Sequence, residues 1–388
     1  MNRRNYLGII LLPLLLLAGC NAEEEIKVPE DIAALENVEI FGPAPAPSGG
    51  IGLNRELVIS SSEGLLIGSI AGVTADDDGR IYIADSDKSG IHVFDEQGEH
   101  ITTVGRSGKG PGEFGQIKNV RVQGSKLYAL DLSLNRIHRF SIPDWQHEKT
   151  VMLFDERPSI PELRMAQPDS YNLRSDGTII VGYAENINPL TLGDPLSVFY
   201  YAINDKGKII SDRIARVKTA PFLGSLSSVR FASPFDSRSM VTFAPGGTVY
   251  TADSGRFLIK VHDEEGNYRR AVYVARPNVP LDKDALVQSY SGNRRQVIRN
   301  ADVPDTWPAL GRLHADDEGR VWAAAVTENR DEYEWWVLEV PGGLIGRFTW
   351  PRDKDIKHIK DGRLYTLETD PETGRQTVVR YGIELSRE

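Results

Sequence analysis

Six segments of this 388-residue chain follow one template, and a chain that repeats at such a spacing has to stack its repeats to bury their faces. The first copy runs Ala75-Asp76-Asp77-Asp78-Gly79-Arg80-Ile81-Tyr82-Ile83-Ala84-Asp85, a polar turn followed by an alternating strand. It recurs at Val122–Asp131, Arg174–Val181, Ala244–Asp253, Ala315–Ala323 and Ile359–Leu367. The matched residues are Tyr82, Tyr128, Ile180, Tyr250, Trp322 and Tyr365. Asp-Gly before a β-rich run is a hairpin signal, because glycine accepts positive φ. A second apolar run follows each copy, at Ile91–Gly98, Ile137–Phe140, Tyr201–Gly207, Ile259–Gly266, Val337–Gly342 and Val378–Tyr381. These read as a third strand leading to a tight turn and a fourth. Six units of four antiparallel strands predict an all-β, six-bladed β-propeller. The sixth unit ends near Ile383, without room for a full fourth strand. The β-rich run Glu56–Ser60 precedes the first repeat and is expected to close the last blade as its outer strand. Closure removes exposed strand edges.

The N-terminus places the domain. Arg3 and Arg4 precede an apolar run, Leu7–Leu17, and the small pair Ala18-Gly19 precedes Cys20, the only cysteine. This is the layout of a cleavable export signal over 1–19. The run is too short to span a bilayer, which takes about 20 apolar residues. The Leu17-Ala18-Gly19-Cys20 ending resembles the lipobox of bacterial lipoproteins, which implies a lipid on Cys20. Residues 20–52 are expected to be a lipid-anchored tether, with Glu23–Glu25 and the Pro-rich run Gly42–Gly50, and 53–388 the propeller. The expected location is the bacterial cell envelope, at the outer membrane, on its periplasmic side or the cell surface. With Cys20 lipidated no thiol remains for disulfides or cysteine chemistry. The formal net charge of −10 argues against nucleic acid as a partner.

Val104-Gly105-Arg106-Ser107-Gly108-Lys109-Gly110-Pro111-Gly112-Glu113-Phe114, after Ile91-His92-Val93-Phe94-Asp95, looks like the linker between NHL-type repeats. The chain from about 53 to 386 resembles the bacterial six-bladed propeller lipoproteins of the NHL/TolB-like kind. It departs in the third unit, which lacks the acid after its second strand, and in the fourth and fifth, which carry long insertions. The resemblance implies fold and location, and leaves activity open, because such folds host unrelated chemistries.

The turns between first and second strands are minimal, whereas the unit-to-unit connectors are long: 105–117, 155–169, 213–238, 275–309 and 349–355. All open onto one face, and long loops are commonly functional. Arg106 and Lys109, Arg230 among five basic residues of 213–239, and Arg294 among three of 284–300 make that face basic. A basic face on an acidic protein focuses an anionic ligand. Leu281–Asn300 has helical spacing, broken by Ser291-Gly292-Asn293, so 281–300 is expected to be a partly helical insertion. Trp307 follows, placed either to meet a flat ligand or to pack its own loop.

Of seven histidines, His314 and His358 are the pair that the channel is able to bring together. The inner strands offer Asn119, Arg121, Asn172, Arg312, His314 and His358, with no acid among them. There is no His-Glu-x-x-His, Gly-x-Ser-x-Gly or Walker motif. Asp85, Asp131 and Asp253 recur after second strands, as turn caps do. The Asp76–Asp78 and Asp316-Asp317 turns are too short to wrap calcium. The expected function is therefore a membrane-anchored module binding a protein or small anionic ligand. Candidate contacts are Arg106, Lys109, Arg121, Arg230, Arg294, Trp307, Arg312, His314 and His358, with no cofactor and no metal ligand assigned. The alternative is a hydrolase or lyase with a divalent cation in the central channel.

Overall fold

The computed structural model describes residues 27–154, 159–186, 193–225 and 229–387, so Cys20 and the expected export signal over 1–19 lie outside the described residues. Blade 1 is built from Ile70–Ala75, Ile81–Asp85, Gly90–Phe94 and His100–Val104, paired in that order from the inside out. Blades 2 to 5 repeat the order outward from inner strands Ile117–Gln123, Ala166–Leu173, Ser239–Phe243 and Leu310–Ala315. In blade 6, Lys354–Lys360, Arg363–Thr369 and Gln376–Arg387 are completed on the outside by Gly49–Ile59. That strand is antiparallel to the chain's last one, with Leu53 opposite Ile383 and Ile59 opposite Val378. The N-terminal strand closes the ring, starting at Gly49 rather than at 53.

The repeated turns are held by their own side chains. In blade 1, Asp76 accepts from the Asp78 and Arg80 amides (3.1 and 2.9 Å), the Arg80 guanidinium (2.8 Å) and the Tyr82 hydroxyl (2.8 Å). In blade 5, Asp316 takes the same bonds from Glu318, Arg320 and Trp322. Gly79 and Gly319 sit at φ +79° and +84°, where a side chain strains the backbone. These aspartates are therefore turn cores with their oxygens engaged. Asp85 and Asp131 cap the opposite end of their blades, accepting from the Gly68 amide (2.6 Å) and from the Gly115 and Gln116 amides (3.0 Å each).

One apolar cluster fills each blade junction among the described residues. The junction of blades 6 and 1 joins Tyr365, Leu367 and Val378 to Ile70, Val73 and Ile83. The repeats thus share cores with their neighbours, which makes the ring one cooperative body.

Two expectations need correction. The stretch 20–52 is not a tether throughout, since from Pro29 onward it belongs to the propeller. Ile32, in the short helix Glu30–Ala33, is fully buried against Leu258, Ala271 and Tyr273. Val38–Phe41 then adds parallel to Tyr268–Val274 and gives blade 4 a fifth strand. Buried apolar surface and edge hydrogen bonds hold this segment down. The connector 349–355 is not long either: the outer strand of blade 5 runs to Pro351 and the next inner strand begins at Lys354. That strand brings Asp355 onto the channel wall, an acid the sequence reading leaves off the inner strands.

Candidate functional site: an arginine cleft on the connector face

Two of the long connectors fold onto each other beside blades 4 and 5. The first forms the hairpin Phe222–Gly224 with Arg230–Ala232. The second forms the helices Lys283–Gln288 and Gly292–Asn300. Asp282 caps the first helix, accepting from the Asp284 and Ala285 amides at 2.9 and 3.1 Å. Phe235, Leu286, Val287 and Ile298 are buried together, with Phe231, Tyr290 and Trp307 packed against them. The cluster joins Phe235 of 213–238 to Leu286, Val287 and Ile298 of 275–309, so the packing of the two connectors is a tertiary result.

Beneath this lobe is a cleft of about 200 Å³. Its walls bring together Arg238 from one connector, Arg312 from an inner strand, Arg330 from a blade 5 loop and Arg352 from the next blade junction. The Arg330 guanidinium stacks on Trp307 at 3.6 Å, and that of Arg352 on Tyr333 at 4.0 Å. Arg238 donates to the Gly311 carbonyl (2.8 Å) and Arg352 Nε to the Glu332 carbonyl (3.0 Å). Nη1 of Arg330 and Nη2 of Arg352 are buried and have no hydrogen-bond partner among the described residues. One carboxylate reaches the group: Asp355 lies 3.5 Å from Arg312 and is shared with Lys357 at 2.7 Å. Asp236 lines the cleft without an ion pair to any of the four among the described residues.

Burial and mutual repulsion show in their acidities. Burial, then Arg352, brings Arg330 down to about 10. Arg238 and Arg352 are lowered by burial and further by Arg312. Four guanidinium groups against two carboxylates, Asp236 on the wall and Asp355 shared with Lys357, leave the site with an excess of positive charge. A buried charged donor without a partner costs more than the roughly 1–3 kcal/mol of a neutral one. An oxyanion able to accept two parallel N–H bonds, as a carboxylate or a phosphate does, answers that need.

Of the residues expected from sequence, Trp307 and Arg312 line this cleft. Arg230 and Arg294 sit on the lobe's outside, over the rings of Phe222 (5.7 Å) and Phe231 (5.4 Å). Arg106 is exposed and paired with Glu113 at 2.8 Å, and Lys109 is exposed in the same connector. Neither lines the cleft. Arg121 and His358 line a second cavity, of about 430 Å³, where the channel opens on the short-turn face. Arg121 is half-buried, and its Nε donates to the Tyr171 carbonyl at 3.0 Å. His314 stacks on Trp335 at 5.7 Å, and burial lowers it to about 4 despite Asp355. Burial, then Arg121, Lys360 and His314, lowers His358 to about 3. Both imidazoles are therefore neutral at pH 7, and each Nε2 lacks a partner among the described residues. Other cations on or beside the inner strands have acidic partners: Lys360 with Asp77, Lys357 with Asp355, Arg320 with Asp316. Among the described residues no three His, Cys, Asp or Glu side chains converge as a metal-binding group.

Sequence reading misses Arg330 and Arg352. Arg330 lies outside the blade connectors, in the loop between second and third strands of blade 5. Asn329-Arg330-Asp331 reads as an ordinary surface turn, which a survey of both loop types on one face would raise; Arg352 lies within the connector 349–355, but it is the only arginine there.

Fold and cleft together define the class: a six-bladed β-propeller with a cationic cleft on its connector face. A family model described as a six-bladed beta-propeller, DUF5128, matches residues 58–174. No curated protein matches the chain. Among solved structures, a Bacteroides fragilis protein described as exported shares 11% identity and a TM-score of 0.50, covering 90% of this chain and 100% of that one. A Bacteroides vulgatus member of the DUF4221 family shares 13% identity and a TM-score of 0.51, covering 87% and 100%. At such identities the likeness is one of fold.

Proposed function

We propose that this protein is a lipid-anchored binding module of the bacterial cell envelope that takes an anionic ligand in the arginine cleft. The observation that carries the reading is the convergence of Arg238, Arg312, Arg330 and Arg352 on one cleft, outnumbering the carboxylates Asp236 and Asp355. The export signal and Cys20 support the anchor. The N-terminal segment supports an orientation: Asp31 pairs with Arg256 at 2.8 Å, in a loop of blade 4 on the connector face. Cys20 lies eleven positions before Asp31, a reach of at most about 40 Å at full extension. The cleft would then face the membrane surface.

The test is a thermal shift in low-salt buffer with inorganic phosphate and sulfate, each compared with chloride at equal ionic strength. A ligand that binds only the native state at a hundred times its Kd adds about 2.7 kcal/mol. The expected result is an oxyanion-dependent rise in Tm that Arg330→Gln and Arg352→Gln remove. Lys206→Gln, in an exposed short turn of blade 3, should keep it. Equal rises in all four proteins would reduce the effect to general salting and overturn the reading.

A further inference from the structure

The arginine cleft does not end at Trp307. A groove of about 670 Å³ continues from it along the Lys283–Gln288 helix, and the two share Pro234, Trp307, Arg330 and Arg352. The first cavity is polar and cationic. The second is walled by Val279, Pro280, Ala285, Leu286 and Tyr290, with Trp307 at the junction. Its volume lies within the range of small-molecule sites, about 300–1,000 Å³, and is far larger than an inorganic anion needs. The acids on its walls, Asp282 and Glu328, are unfavourable for an anionic head there. Asp282 is already occupied in capping its helix. Charge therefore fixes the direction of a bound molecule, with its head among the arginines and its body in the groove.

We infer that the ligand is an amphiphile, an apolar chain ending in an oxyanion, whose head binds Arg330 and Arg352 and whose chain lies past Trp307 beneath the Lys283–Gln288 helix. The inference rests on the anion-binding reading above and deepens it to a ligand class. Trp307 serves both halves: its ring carries Arg330, and it lines both the cleft and the groove. A carboxylate and a phosphate monoester are the two heads compatible with the guanidinium pair.

The experiment is isothermal titration with straight-chain acids from acetate to octanoate below their micelle concentrations, with octyl phosphate and with octanol. Affinity should rise about threefold or more per added methylene while the chain is being buried. Octanol should bind at least tenfold more weakly than octanoate. The tighter of octanoate and octyl phosphate identifies the head, and either order supports the inference. Arg330→Gln should weaken every acid. Ala285→Trp, at an exposed helix position on the groove wall, should reduce octanoate to the level of acetate and leave acetate unchanged. Arginine-dependent binding without dependence on chain length would overturn the amphiphile while leaving the anion-binding reading in place. Octanol matching octanoate would overturn the inference, and no binding by any acid or by octyl phosphate would overturn both.

Discussion

At the scale of single residues, the molecule keeps ionisable groups away from water in two ways. In the cleft, arginines remain charged and are left short of counter-charge. In the channel, His314 and His358 remain neutral, because burial penalises the imidazolium and Arg121 adds to that penalty. The second arrangement sets a pH dependence. Above pH of about 6.5 both histidines are neutral in folded and unfolded chains alike. As pH falls toward their folded values of about 4 and about 3, the unfolded chain takes up protons that the folded one refuses. Stability should therefore be full above about 6.5 and decline toward acid, by up to about 1.4 kcal/mol per pH unit for each histidine. Urea midpoints near pH 7.5 and near pH 5 check this. His314→Gln with His358→Gln should flatten the decline; His138, also lowered to about 4, remains as background in both proteins. An equally steep decline in wild type and double variant would show that these imidazoles are not held neutral.

At the scale of elements, Gly49–Ile59 is the strand on which closure depends. It joins the two ends of the propeller, and Ile59 is buried at the junction of blades 6 and 1. Removing 49–59 should expose the edge of Gln376–Arg387 and open that core. The expected outcome is aggregation, or a fall in Tm of more than ten degrees, roughly the effect of losing several kcal/mol. A monomeric product melting like wild type in calorimetry and size-exclusion chromatography would contradict the closure role. The Val38–Phe41 strand works differently, because it covers the outer edge of a blade that is already complete.

At the scale of the whole molecule, the described chain begins beside blade 4 on the same face as the cleft, where Asp31 pairs with Arg256. Cys20→Ala tests the anchor. The variant should leave the membrane fraction and appear as soluble or unprocessed exported protein. A variant still sedimenting with membranes after a carbonate wash would exclude lipid on Cys20 as the cause of attachment.

Local rules determined the blades. An aspartate that bonds amides two and four residues ahead, followed by glycine at positive φ, specifies its turn wherever it occurs, as at Asp76 and Asp316. Alternation then specifies which faces are buried, and six such units with an orphan strand before the first imply a closed ring. That Trp307 and Arg312 stand near the connector face was legible for the same reason: they flank repeats whose positions are set by that pattern. The cleft itself was not legible. Arg238, Arg312, Arg330 and Arg352 have no spacing in common, and their proximity depends on where blades 4, 5 and 6 stand after the ring has closed. Nor did the pattern around Asp355 or Ile32 mark them as part of the wall and the core. A strand can begin two residues earlier, or an extra strand can add to a blade edge, whenever the backbone bonds and buried area are available there. Those depend on neighbours distant in sequence, so tertiary structure alone decided them.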